Sequence, residues 1–131
     1  MMKTLGIEIK GSTIIGVLTD GSKLYDFPNK IDLKDSYDSD EIRELQNQLK
    51  EVFTQSDLDS IIIKKRMEKG KFAGGAASFK LEGVIQLSTD KPVSFIAGTQ
   101  INAFQKRNSV DLSVVKKYQE QAYLAALTQV Q

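Results

Sequence analysis

The chain has 131 residues, with 18 Lys and Arg against 17 Asp and Glu, so the net charge is +1 and the molecule as a whole has no strong attraction for polyanions. It contains no cysteine and no histidine. That excludes disulfides, thiolate metal sites, the commonest general base and the usual pH switch. Catalysis would have to use carboxylates, lysine, hydroxyls or a metal held by oxygen. With 40% hydrophobic and 27% charged residues, the composition is that of one soluble domain spanning 1–131. The opening MMKTLGIEIKG lacks the apolar stretch of a signal peptide, and no run reaches transmembrane length. The expectation is a cytoplasmic protein of bacterial style, without membrane contact.

Leu5, Ile7 and Ile9 alternate with other residues between Lys3 and Lys10, predicting a first strand. Gly11 and Ser12 turn the chain, and the β-branched run from Thr13 to Thr19 predicts a second. Asp20-Gly21 is a hairpin signal. Lys23 to Phe27 predicts a third strand, stopped by Pro28. Asp32 to Asp40 reads as a loop, with Asp38 or Ser39 able to cap a helix. Ile42, Leu45, Leu49, Val52 and Phe53 recur at helical spacing and predict a helix from about Ser39 to Thr54.

The isoleucine run within Ser60 to Lys64 has the pattern of a central strand covered on both faces. Met67 to Gly75 reads as a loop and Ala76 to Leu87 as a second helix. Gly83 within that helix costs about 1 kcal/mol relative to alanine, and a close helix–sheet contact is the expected compensation. Val93 to Ala97 predicts a fifth strand, Thr99 to Phe104 a short helix, and a last helix starts at Asp111 or Ser113. The order is then β-β-β-α-β-α-β-α-α. It implies an α/β fold with a five-stranded mixed sheet in the order 3-2-1-4-5, strand 2 antiparallel, and helices on both faces. In such a sheet, sites gather at the carboxyl ends of the parallel strands near the point where the order reverses. That places Glu8 to Lys10 beside Lys64 to Arg66.

LGIEIKGSTIIGVLTDG, DSIIIKK and SFKLEGVIQLSTDKPVSFIAGTQINAFQK carry a resemblance. They are similar to the first hairpin, fourth strand, and following helix, strand and helix of the ribonuclease H-like superfamily. Within it they look most like the bacterial Holliday-junction resolvases. The chain also resembles a bacterial family of small proteins of unknown function. The resemblance implies a ribonuclease H-like fold, homodimers and a site of four acids that binds Mg or Mn. Glu8 stands where the first acid, usually Asp, is expected. Lys64 or Lys65 stands where the second is expected. Tyr118 and Gln121 occupy the spacing of the last pair, with Glu120 alone nearby. An ammonium at that centre would repel the two divalent ions that such catalysis needs.

Two readings follow. In the first, the domain is non-catalytic, needs no cofactor, pairs Glu8 with Lys64 or Lys65, and binds nucleic acid weakly and without sequence preference. The contacts would come from a basic rim of Lys10, Lys64, Lys65, Arg66, Lys69 and Lys71. In the second, Glu8 and Glu120 are the candidate catalytic residues of an atypical Mg- or Mn-dependent nuclease. A partner-binding module without a nucleic-acid role is a third option. KFAGGAAS matches neither the Walker nor the dinucleotide pattern, and Ser78 and Thr99 have no evident base partner for nucleophilic work.

Overall fold

The computed structural model describes residues 2–65 and 75–130. Its strands are β1 (Thr4–Lys10), β2 (Thr13–Thr19), β3 (Leu24–Tyr25), β4 (Lys30–Asp32), β5 (Ser60–Lys64) and β6 (Val93–Ile96). Its α-helices are α1 (Ser39–Ser56), α2 (Ala76–Leu87), α3 (Gly98–Arg107) and α4 (Glu120–Leu127). The sheet order is β3-β2-β1-β5-β6, with β4 also on β2. β1 runs antiparallel to β2 and parallel to β5, and β5 runs parallel to β6. Among the described residues no helix is long and apolar enough to cross a membrane.

Six strands replace the five expected, so the isoleucine strand is fifth in the chain and the order is 3-2-1-5-6 rather than 3-2-1-4-5. The reason lies at Pro28, which has no N–H to give to a ladder. The predicted third strand shortens to Leu24–Tyr25, and a second short strand begins at Lys30. Both lie on β2, at its two ends. Between them Phe27 turns inward, its ring stacked on Phe53 at 6.3 Å between centroids. A Cβ on Gly16 would come within 2.8 Å of the Phe27 ring. In β4 only Ile31 is buried, between exposed Lys30 and Asp32, and that polar flank made the segment read as loop.

α1 is capped by Asp38, whose carboxylate accepts from the backbone N–H of Asp40 and Glu41. It ends at Asp57 in the left-handed region, φ 53. The predicted last helix is broken up. Asp111 caps a single 3-10 turn, Val115 and Lys116 are extended, and a second 3-10 turn leads into α4 at Glu120. α3 is longer than expected. The compensation expected for Gly83 is also absent, since a Cβ there would meet nothing within 4 Å. That side of α2 faces open space rather than the sheet.

Alternation along the strands divides the core. Leu5, Ile7, Ile61 and Ile63 join Leu45, Leu49 and Phe53 of α1 and Leu81 and Ile85 of α2. On the other face Ile62 packs with Ile101 of α3 and Leu124 and Ala125 of α4, while Ile15 and Val17 pack with Ala122. Gly6 lets α4 lie directly on β1, because a Cβ there would stand 1.9 Å from the Ala122 carbonyl oxygen.

Candidate functional site

β1 and β5 are in parallel register through Leu5 with Ile61 and Ile7 with Ile63. One residue further along each strand come Glu8 and Lys64. Both fall on the α3/α4 face, because alternate side chains share a face. Lys64 Nζ donates to Glu8 Oε2 at 3.4 Å. Lys10 Nζ stands 3.9 Å from Glu8 Oε1. The Glu8 side chain is only 11% exposed, against 26% for Lys64 and 57% for Lys10. A carboxylate this buried needs a cationic or hydrogen-bonding partner to offset its lost hydration, and Lys64 is the more enclosed of the two.

The opening of α3 makes room for the lysine. A Cβ on Gly98 would stand 3.4 Å from Lys64 Cε, so a side chain there would press on the stem that carries the ammonium. Lys65 is exposed and turned away, its backbone N–H donating to the Ile96 carbonyl at 2.7 Å. Of the predicted rim, Lys10 and Lys64 therefore meet at Glu8 and Lys65 lies outside that contact. Arg66, Lys69 and Lys71 lie outside the described residues.

Glu120 is partly buried in the first turn of α4. Among the described residues no group of three or more His, Cys, Asp or Glu is placed to hold a metal ion, so Glu8 and Glu120 belong to no such cluster. Where the resemblance places the final acids, the residues bind the sheet edge instead. Lys30 Nζ lies 4.3 Å from the centroid of the Tyr118 ring. Gln119, 7% exposed, donates through Nε2 to Asn29 Oδ1 at 3.2 Å and to the Gly16 carbonyl at 3.4 Å. Its Oε1 accepts the Lys116 backbone N–H. Ser78 is equally structural, its hydroxyl donating to the Gly11 carbonyl at 3.0 Å.

Gln119 and Gly98 were not singled out from the sequence. A glutamine beside a helix start and a glycine at one carry no signal until the fold shows what they face. The donor set at the crevice is one carboxylate against two ammonium groups. Divalent magnesium takes octahedral oxygen coordination, usually with one or two protein carboxylates. Glu8 offers one, already engaged by Lys64, so these residues do not fit the two-metal centre that the resemblance implies.

Two similar solved structures are a Thermus thermophilus RuvC in complex with a Holliday junction substrate and a second T. thermophilus RuvC. The first has a TM-score of 0.75 at 10% identity, over 98% of this chain and 92% of that one. The second has a TM-score of 0.74 at 10% identity, over 97% and 92%. A T. thermophilus ROK hexokinase is similar over 81% of this chain, with a TM-score of 0.51 and 15% identity, but only 37% of that longer chain is spanned. The fold is therefore that of the RuvC resolvases, ribonuclease H-like, with a mixed sheet. By sequence the chain belongs to the family described as protein of unknown function DUF3010, matched over residues 2–129. No curated protein matches it.

Proposed function

We propose that this chain is a single, non-catalytic ribonuclease H-like domain, a homodimer of the bacterial cytoplasm, that binds nucleic-acid backbone at its crevice. The carrying observation is the Lys64 ammonium 3.4 Å from the Glu8 carboxylate. The positions are those where the superfamily pattern sets its first two acids, and an ion pair satisfies both groups without a metal. With Lys10 beside them the site keeps an excess positive charge, suited to a phosphodiester. One similar fold, a RuvC, was solved with a Holliday junction, which supports a nucleic-acid partner for this scaffold. Binding of this kind is weak, indifferent to sequence and driven by counterion release, so it falls with salt.

The test pairs metal binding with cleavage. Manganese titrated by calorimetry should give no heat above dilution, and four-way junctions and RNA–DNA hybrids should stay intact. Fluorescence anisotropy with a duplex should show a binding constant that falls as salt rises. Reversing the charges of Lys64, Lys65 and Arg66 together should abolish that binding. Two manganese sites, with cleavage lost in Glu8→Gln, would replace this reading by the nuclease built on Glu8 and Glu120.

A further inference from the structure

We infer that the homodimer forms through α2, with Leu87 of each copy seated in the gap over Gly83 of the other. The inference rests on the homodimer named above but not on nucleic-acid binding. Two neighbouring features of one helix face carry it. At Gly83 there is a vacancy, since a Cβ would meet nothing within 4 Å. A groove of about 510 Å³ opens there between α1 and α2, lined by Tyr37, Ile42, Gly83, Val84 and Leu87 among others. One turn further on, Leu87 projects into solvent at 73% exposure. Tyr37 projects from the other wall at 83%, with Lys80 Nζ 4.5 Å from its ring centroid and bonded to the Ser36 carbonyl.

A knob and a hole four residues apart on one helix are self-complementary. Residues i and i+4 share a face, so an antiparallel second copy, its dyad level with Ile85, brings each leucine over the other copy's glycine. The same dyad brings residue 80 of one copy level with residue 90 of the other, which sets Lys80 toward Asp90. The helix ends agree with this arrangement. α2 has no acid in its first turn and no base in its last, so its dipole is uncompensated by its own side chains. An antiparallel copy places each positive end beside a negative one. Closed dimers of this isologous kind are the commonest oligomers.

Area sets the expected strength. α2 has 12 residues, about 18 Å of helix, and stable interfaces bury roughly 1,200 Å² or more in total. Two such helices with Tyr37 at the margin fall toward the lower end, so the dimer should dissociate in the micromolar range.

Sedimentation of the full chain from micromolar to millimolar concentration should pass from monomer to dimer. Leu87→Ser removes the knob and Gly83→Leu fills the hole. Both should sediment as monomer at the highest concentration. Gly83→Leu should also melt at a higher temperature than the parent, since it removes a helix glycine into open space; loss of the dimer then cannot be loss of the fold. The chain has no cysteine of its own, so Gly83→Cys and Leu87→Cys can be mixed and oxidised, and the mixed disulfide should dominate. A parent that stays monomeric throughout would overturn both this surface and the homodimer. A dimer that survives in both variants would overturn the surface alone. Neither change touches Glu8 or Lys64, so the crevice measurements stand or fall separately.

Discussion

Against α1 and α2 the sheet presents Leu5, Ile7, Ile14, Leu18, Ile61 and Ile63. Against α3 and α4 it presents Gly6, Glu8, Ile15, Val17 and Ile62. The first face is filled by large aliphatic side chains that hold the helices off the strands. On the second, glycine opposes alanine and α4 lies on β1 itself. Close approach at Gly6 leaves no space for a side chain there. Two residues on, Glu8 sits at the margin of that contact, shielded enough to need Lys64. One face supplies most of the apolar burial and the other places the charges.

Truncation on the aliphatic face should have the largest effect. Leu49 is fully buried, and Leu49→Ala should cost about 2–5 kcal/mol through lost burial and a residual cavity. Urea unfolding should show a lower midpoint. If the faces are separable as argued, duplex affinity measured well below that midpoint should not change.

Adding atoms should break the other face. Gly6→Ala places a methyl where the Ala122 carbonyl stands 1.9 Å away, so α4 must lift. The expected cost is about 3 kcal/mol. Here duplex binding should weaken as well, because β1 and α4 flank Glu8. An unchanged crystal position of α4 in this variant would refute the close-packing account.

The ion pair itself sharpens the comparison. Glu8→Gln and Lys64→Met should each destabilise by about 1–3 kcal/mol, because each leaves a partly buried group without its partner. The double variant should cost less than the sum, with a coupling of about 0.5–3 kcal/mol in a double-mutant cycle. Full additivity would mean that the two side chains do not interact.

The smallest effect belongs to the hairpin after β2, outside both cores. The Tyr25 hydroxyl, donating to Asp20, lowers the Asp20 carboxyl to about 2, with the Ser22 backbone N–H assisting. The same bond raises the Tyr25 phenol above its usual 10.0. Asp20 therefore contributes stability above the unfolded carboxyl value of about 3.9, and loses it as pH falls toward about 2. Tyr25 contributes below 10.0 and loses it as pH rises past that. Tyr25→Phe should flatten both limbs of the stability–pH curve slightly.

Period-two and helical spacing, read against turn chemistry, were enough for β1, β2, α1, β5 and α2, because strong local patterns agree there with the tertiary packing. β4 was not legible, since one buried isoleucine between two exposed polar residues has no periodic signal. Nor was the break between Asp111 and Glu120. Its apolar residues continue at helical spacing, yet Val114 is 48% exposed and the chain turns extended at Val115 and Lys116.

The sequence by itself determined that any chemistry here must do without histidine and cysteine. It also determined that a buried parallel strand would end in lysine beside a strand carrying Glu8, because residue identity and strand period are local properties. Only the tertiary structure decided which lysine turns inward. The register of β1 on β5 sets Lys64 on the face of Glu8, and Gly98 at the start of α3 leaves the space its side chain fills. The same is true of Gly83, whose open side depends on how α2 is rotated against the sheet and on no property of the glycine itself.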